Sequence, residues 1–248
     1  MKYFAKAALF VLLFTSSCSI FAQDWSYLIS QAKSGDAAEQ IRLADVYAKA
    51  QSAASAAYWY KIAAEHGNVR ACVCLGQRFE RGGLFQKDLD KAEYWYLKGA
   101  NLGDTTSLTL LGEMNEHARN NPAEAAKYYK QAAERGDGSS QIKVASMYHS
   151  GNGVTKNDRE AAIWWTRASD QGLSEAMVAL GALYEKGGIG IDKDLLQACI
   201  WYDLAGRYGQ PSYLHQFRDR CAKTLTMDQF TEASSLADKR AAKIAAKK

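Results

Sequence analysis

The chain has 248 residues and a formal net charge of +4, and 48% of its residues are hydrophobic, which is enough for one sizeable domain. Five Lys or Arg residues lie within 239–248, so the body of the chain, 23–238, carries a charge near −3. Because no basic stripe runs along this body, nucleic-acid binding is disfavoured as a function, and a content of only two prolines favours a largely helical chain.

The N-terminal segment has the pattern of a secretory signal peptide. Lys2 and Lys6 flank the start, Ala7–Phe14 is apolar, and a stretch of small residues ends at Ala22. The alternative, an uncleaved anchor, is disfavoured because the apolar run is far shorter than the roughly 20 residues that cross a bilayer. We therefore predict a signal peptide over 1–22, cleavage near Ala22, no transmembrane segment in the mature chain, and a periplasmic or secreted protein.

Cys18 offers a second interpretation of this segment, in which a lipid attached to that cysteine anchors the chain. Ser16 and Ser17 suit a lipoprotein signal, but Thr15 stands where such a signal has a leucine-like residue. Lipid anchoring through Cys18 is therefore the minority alternative.

Most of the chain repeats a pattern of two amphipathic helices. Asp24–Ser34 and Ile41–Ala50 form an incomplete copy, which predicts an N-terminal capping half-repeat over 23–55. Full copies follow over 56–210, where a large aromatic residue recurs every 33 to 37 residues and a glycine lies eight residues after each one. A period in the mid-thirties with two helices per copy predicts an all-α solenoid. The aromatic positions are Trp59, Trp95, Tyr128, Trp164 and Trp201.

The copy that starts at Ala92 departs from the pattern. Asn115 replaces an aromatic residue and Asn121-Pro122 stands in place of a glycine loop, so we expect the fold to continue there with a shorter connection. Asn121 suits the N-cap of the next helix and Pro122 suits its first position. The pattern is lost after Phe217, and Thr226 is suited to cap a last helix. We therefore predict C-terminal capping helices and a basic tail over 211–248.

The most complete copy, Ala161–Gly190, contains A-x-x-W-W-x-x-A followed by A-x-x-x-L-G-x-x-Y and a glycine turn. With its sister copies, from about Tyr27 to the C-terminus, it resembles the Sel1-like repeat (SLR) family, a relative of the tetratricopeptide repeats. The resemblance implies a right-handed superhelix of helix pairs and a role in protein–protein interaction, often at bacterial envelopes. The family carries no shared catalytic residue that could be assigned to this chain.

The resemblance also implies where a partner binds, because the first helix of each pair lines a concave groove in tetratricopeptide relatives. We therefore predict a non-catalytic scaffold of the bacterial envelope that binds a protein or peptide there. The alternative is a factor associated with the cell wall or exopolysaccharide machinery, or a secreted factor that acts on host cells. Candidate contact residues are the polar positions that differ among the copies of that helix: Gln77, Arg78, Arg81, Glu113, Glu116, Lys143, Ser146 and His149.

The recurring tryptophans also suit a row of rings that stack on glycans. Their helical spacing, however, places them on the packing face of each helix pair, and we predict that they are buried. They are Trp59, Trp95, Trp164 and Trp201.

Few residues suit catalysis or cofactor binding. Ser30 and Lys33 form an S-x-x-K motif, but neither S-D-N nor K-T-G accompanies it, so a weak β-lactam-binding enzyme is the least favoured alternative. The four histidines are dispersed and lack the spacing of metal ligands. We therefore expect no catalytic residue, no metal and no cofactor.

The cysteines of the C-terminal half are placed for a disulfide. Cys199 and Cys221 lie almost symmetrically about the turn at 209–211, which would bring them side by side in an antiparallel helix pair. We predict a disulfide between them, as an oxidising compartment permits, and two buried free thiols are the alternative. Cys72 and Cys74 are two residues apart on one helix and point to different sides, so we expect no bridge between them.

Overall fold

A computed structural model describes the backbone of residues 18–209 and 219–246, and over these residues the chain forms helices and no β-strand. A π-helical segment, Met114–Ala118, directly follows the sixth helix, and residues 219–224 are also helical. The helices are α1 (Cys18–Lys33), α2 (Ala37–Lys49), α3 (Ala53–Glu65), α4 (Val69–Arg81), α5 (Leu89–Asn101), α6 (Thr105–Glu113), α7 (Pro122–Glu134), α8 (Gly138–Ser150), α9 (Asp158–Ser169), α10 (Ser174–Lys186), α11 (Leu195–Tyr208) and α12 (Met227–Ala245).

Short polar residues start most of these helices. In each case the side chain accepts a backbone N–H of the first turn, which would otherwise lack a partner. The predicted caps Asn121 and Thr226 are confirmed, and Thr226 forms a reciprocal capping box with Gln229. The other capping side chains are Asp36, Asn68, Asp88, Asp137, Asn157 and Asp194.

The helices group into two compact units, an N-terminal unit of residues 1–111 and a C-terminal unit of residues 112–248. Within the N-terminal unit, α2 packs most extensively on α3, and α4 on α5. Within the C-terminal unit, α8 packs most extensively on α9, α10 on α11, and α12 covers α11. The described residues thus confirm the predicted fold class, an all-α solenoid built from tandem helix pairs.

The four recurring tryptophans are core residues, as predicted, and none is more than 7% exposed. The aromatic residue that follows each recurring position, the second ring, is buried as well. Tyr128 differs from its counterparts because it is only half-buried, whereas its neighbour Tyr129 is fully enclosed. The second rings are Tyr60, Tyr96, Tyr129, Trp165 and Tyr202.

Three of these second rings lie over a glycine of the preceding helix. A Cβ atom at Gly112 or Gly181 would come within 2.6 or 2.5 Å of a ring carbon of Tyr129 or Tyr202. Gly76 receives the ring of Tyr96 in the same way. Such a contact brings the two helices close together, and any side chain larger than hydrogen would force them apart.

The hydroxyl group of each such tyrosine is bound by an acid four residues after the glycine. Tyr96 donates to Glu80 at 2.7 Å, and Tyr202 donates to Glu185 at 2.8 Å. Tyr129 donates to Glu116 at 2.8 Å. Together, the ring and the hydroxyl fix both the distance and the register between the two helices.

This contact also corrects the phase of the repeat. The sequence pattern groups α9 with α10 as one unit, Ala161–Gly190, but α10 packs more extensively on α11 and α9 on α8. The reason is that the tyrosine-over-glycine contact joins helices across the long loop, as Tyr202 of α11 does with Gly181 of α10.

The irregular copy keeps the fold by widening its helix. After α6 the backbone forms a π-turn in which Arg119 N–H bonds to the Met114 carbonyl. Asn115 is 2% exposed there, and its carbonyl accepts the N–H of Asn121 at 2.8 Å. The widened turn thus replaces the glycine loop and leads directly into α7, in agreement with the predicted shorter connection.

The basic C-terminal segment forms a docked helix. Ala237 and Ile244 of α12 are buried, and the Arg240 guanidinium lies 4.4 Å from the ring centre of Trp201. The Tyr208 hydroxyl donates to the Ala241 carbonyl at 3.0 Å. The C-terminal unit is therefore closed by α12, as capping helices require.

The predicted signal peptide falls largely on residues that the structure does not describe. The predicted domain boundaries after residues 22, 55 and 210 stay predictions. None of the described helices has both the length and the apolar character needed to cross a membrane.

The structure contains the disulfide between Cys199 and Cys221, and both residues are buried. The bridge links α11 to the segment at 219–224 and closes a loop with a sequence separation of 22 residues.

Because such a cross-link removes conformational entropy from the unfolded chain, we expect the double variant Cys199→Ser/Cys221→Ser to lose about 3 kcal/mol of unfolding free energy in urea titrations. The matched control, Cys72→Ser/Cys74→Ser, keeps the bridge and should still lose stability when a reducing agent is added, whereas the stability of Cys199→Ser/Cys221→Ser should not depend on the reducing agent. Alkylation of both Cys199 and Cys221 in the native, oxidised protein would contradict the bridge.

The tyrosine hydroxyl contact can be tested with a pair of tyrosines on one helix. Tyr96→Phe removes the donor to Glu80 and should lower the free energy of unfolding by about 1.5 kcal/mol, since the acceptor is charged. Tyr94→Phe is the control, because the Tyr94 side chain is 58% exposed, and its effect should stay within about 0.5 kcal/mol. Equal losses in the two variants would show that the Glu80 contact contributes nothing specific.

Candidate binding surface

The eight candidate residues lie on helices that occupy equivalent places in successive copies. In the N-terminal unit, α4 carries Gln77, Arg78 and Arg81. In the C-terminal unit, Glu113 ends α6, Glu116 lies in the π-helical segment, and the other three lie on α8. Some of these side chains form hydrogen bonds or ion pairs within the fold, and the others are accessible to a partner.

Arg78 is held inside the N-terminal unit. Its guanidinium donates to the Tyr60 hydroxyl at 2.6 Å and pairs with Asp45 at 3.4 Å. The same group lies over the rings of Tyr60 and Phe85, at 4.8 and 5.8 Å from their centres. Burial raises the pKa of Tyr60, and its hydrogen bond to Asp45 raises it further, so this tyrosine stays neutral. Arg78 therefore serves mainly to join α2, α3 and α4.

Glu116 and Lys143 come together in the C-terminal unit. The Lys143 ammonium donates to Glu116 at 3.2 Å and also lies 5.9 Å from the ring centre of Tyr129. Partial burial raises the pKa of Glu116, but the hydrogen bonds from Tyr129 and Lys143 outweigh burial and leave the pKa below its usual value. This acid therefore remains ionised at neutral pH and is largely engaged within the fold.

His149 forms a pair with a buried acid. Its Nδ1 lies 2.5 Å from Asp158, whose side chain is only 2% exposed and also accepts the backbone N–H of Ile189 at 2.6 Å. Burial raises the pKa of Asp158, but the bonds from Ile189 and His149 outweigh burial, so the net pKa is lowered. The His149 ring also lies 5.5 Å from that of Trp165. The pair anchors the loop after α10 to α8 and α9.

The remaining candidates have the accessibility that a contact with a partner requires. Arg81, Glu113 and Ser146 are exposed, and Gln77 is half-buried. Arg70 was missed from the sequence, although it lies seven residues before Gln77 and eleven before Arg81 and is also exposed. That spacing places the three side chains in one row along α4.

The groups that could hold a metal ion or act as nucleophiles have the following surroundings. Among the described residues, no group of three or more His, Cys, Asp or Glu side chains is arranged to hold a metal ion. Burial raises the pKa values of Cys72 and Cys74, which disfavours their reactive thiolate forms. The Ser30 hydroxyl donates to the Tyr27 carbonyl of its own helix at 2.7 Å.

Comparisons with known families match this architecture. The model of the Sel1 repeat matches five segments, residues 40–68, 69–104, 107–137, 138–173 and 174–207. Two of these segments contain a complete helix pair, α4 with α5 in 69–104 and α8 with α9 in 138–173, and 174–207 contains α10 with all but the last residue of α11, which agrees with the packing described above. No curated protein sequence matches the chain significantly.

Two solved structures are similar to the chain. One is a protective antigen of uropathogenic Escherichia coli strains that displays an SLR fold, with 28% sequence identity over 89% of this chain and a TM-score of 0.67. The other is a Sel1 repeat protein from Oxalobacter formigenes, with 24% identity over 84% of this chain and a TM-score of 0.70, and this likeness concerns the fold alone. The chain spans 48% and 62% of the lengths of these two structures.

The two arginines near the end of α4 should respond differently to charge reversal. Arg78→Glu removes the donor to Tyr60 and places a second carboxylate beside Asp45, so we expect a loss of about 2 kcal/mol in unfolding free energy. Arg81→Glu changes an exposed side chain and should alter stability by less than about 0.5 kcal/mol. Thermal and urea denaturation of both variants would measure this difference. A stable Arg78→Glu variant would return Arg78 to the set of available contact residues.

Proposed function

Because this chain belongs to the Sel1 repeat family, we propose that it is a scaffold of the bacterial envelope that binds a protein or peptide on the face presented by the first helix of each repeat. Sel1 repeat proteins generally mediate protein–protein interaction, and the family is typically non-catalytic. The identity of the face and the envelope location are the specific parts of this proposal.

One observation carries the choice of face. The first helix of each repeat has a small residue, Gly or Ala, that we call the notch residue. In most repeats a tyrosine ring of the next helix packs against the notch residue. The residue directly after the notch residue differs in chemistry from one repeat to the next. It is Gln77 after Gly76 in α4, and Glu113 after Gly112 in α6. Ser146 follows Ala145 in α8 at the same place. The notch residue keeps the same packing role in these repeats, whereas the residue after it varies in chemistry. This combination is expected of a surface that recognises a specific partner.

The proposed envelope location rests on two further features. The N-terminal pattern over 1–22 suits export, although it falls mainly outside the described residues. The Cys199–Cys221 bridge suits an oxidising compartment such as the periplasm. Mass spectrometry of the mature protein should find a start near Gln23, and a lipid-modified Cys18 would instead favour anchoring at the membrane.

The proposed binding face can be tested by site-specific photo-crosslinking in the native bacterium. A crosslinking amino acid at Arg81, Glu113 or Ser146 should give one discrete, shared adduct that is identifiable by mass spectrometry. Lys61 and Tyr94, exposed on second helices, are the control positions and should not give this adduct. Adducts that form only from the control positions would place the interaction on another face.

The same protein should be sedimented with purified peptidoglycan. Co-sedimentation that survives charge reversal at Arg81 and Glu113 would support the alternative function, a factor associated with the cell wall. Protein that stays in the supernatant while the crosslinked adduct forms would support the scaffold.

A further inference from the structure

The C-terminal unit contains an apolar groove between α7 and α8 with a volume of about 230 Å³. Its walls are Ala123 and Ala126 of α7, Val144, Met147 and Tyr148 of α8, and Val154 of the loop that follows. Lys127 and Lys130 also line the groove, and both are exposed. None of the residues that the proposed function assigns to partner binding lines this groove.

A small loop residue opens one side of the groove. Val154 lies three residues before the cap residue Asn157, and Phe85 lies three residues before the cap residue Asp88 in the N-terminal unit. Phe85 is 6% exposed and packs edge-on against Phe79, with ring centres 5.5 Å apart. The equivalent space of the N-terminal unit is therefore filled by a side chain of the chain itself.

A small helix residue, Ala123, lines the other side. Ala123 has Arg159 as its counterpart 36 residues later, at the start of α9. The Arg159 side chain spans to the following loop, where its Nε donates to the Gly190 carbonyl at 2.8 Å. Ala123 has no side chain that could make such a bridge, and the loop instead contacts the α7 backbone through Gly153, where an added Cβ would overlap the Pro122 carbonyl oxygen. The groove lies beside this contact and is lined by Ala123 and Gly153.

The volume decides the size of the occupant. A space of about 230 Å³ is larger than the roughly 150 Å³ cavity that holds a benzene ring. It is smaller than the roughly 300–1,000 Å³ sites that enclose drug-sized ligands. The groove therefore fits one large apolar side chain and excludes a large cofactor.

The charge at the groove decides what flanks that side chain. Lys127 is paired with Glu124 at 2.6 Å, whereas Lys130 makes no ion pair with any residue that the structure describes. An exposed ammonium group next to an apolar wall favours a ligand that carries a carboxylate beside its apolar group.

We propose that this groove receives one leucine-, phenylalanine- or methionine-like side chain from an acidic segment of a partner protein, with Lys130 pairing with a neighbouring carboxylate. This inference rests on the proposed protein-binding function but assigns it a second contact surface.

A displayed library of random peptides, selected in parallel on the full chain and on Val154→Phe, tests the proposal. Val154→Phe copies Phe85 and should fill the groove from the loop, and Ala123→Leu should fill it from α7 without adding charge. The wild-type protein should enrich peptides in which a large apolar residue lies next to Asp or Glu. A synthetic peptide of that sequence should bind at least tenfold more weakly to each filled variant.

Charge variants provide the matched control. Lys130→Glu should weaken the same peptide about tenfold, because the ammonium group is replaced by a like charge. Lys61→Glu changes the lysine at the equivalent position of α3 and should bind as the wild type does. Melting temperatures of all variants must match that of the wild type, and if Val154→Phe is unstable, Ala123→Leu carries the test.

The proposal is overturned if the wild type enriches no peptide that Val154→Phe rejects, or if the enriched peptides lack an acid. It is also overturned if both filled variants bind the selected peptide as tightly as the wild type does. If decanoate binds in an NMR titration and no peptide binds, the groove is a site for an acyl chain, and the proposal that it receives a peptide side chain is overturned. If crosslinking from Glu113 and Ser146 persists while the groove variants have no effect, the groove assignment fails and the scaffold function stands.

Discussion

A tyrosine ring that packs over a glycine of the preceding helix is the contact on which three of the helix pairs depend. Without a Cβ at Gly76 or Gly181, the two backbones come close enough for the tyrosine hydroxyl to reach an acid one helical turn further along. The tyrosine ring buries apolar area, and its hydroxyl group forms a directional hydrogen bond to the charged acceptor. One residue therefore sets both the distance and the register between the two helices. The recurring tryptophans then fill the space that this geometry leaves within each unit.

One repeat shows that the contact is a matched set. Where the notch residue is Ala145, the ring is Trp165 and the residue one turn later is His149 instead of Glu. Trp165 has no hydroxyl group to donate, and His149 binds Asp158 and faces the indole ring instead. All three positions change together, which indicates that their chemistry is coupled through the packing of one ring.

The sequence was sufficient for the repeat, the buried tryptophans and the caps at Asn121 and Thr226, because each depends on spacing along the chain. It favoured the Cys199–Cys221 bridge but left two free thiols as the alternative, and the structure contains the bridge. The sequence did not reveal the roles of Arg78 or His149, since their partners, Tyr60 and Asp158, are set by how helices pack. A signal for the tyrosine contact was present, because an acid follows Gly76, Gly112 and Gly181 at a spacing of four. The groove beside α7 depends on missing volume, which no motif reports.

These features explain how one scaffold can keep its fold while its surface diverges. The notch residue and its ring fix the backbone of each pair, so neighbouring positions such as Gln77 and Ser146 change without structural cost. Loop residues have a similar freedom, but there a change of size alters the surface itself: phenylalanine at position 85 closes a space that valine at position 154 leaves open. In the proposed scaffold, recognition would therefore depend on two independent variables: the polar residue that follows each small packing residue, and the size of the loop residue three positions before each cap.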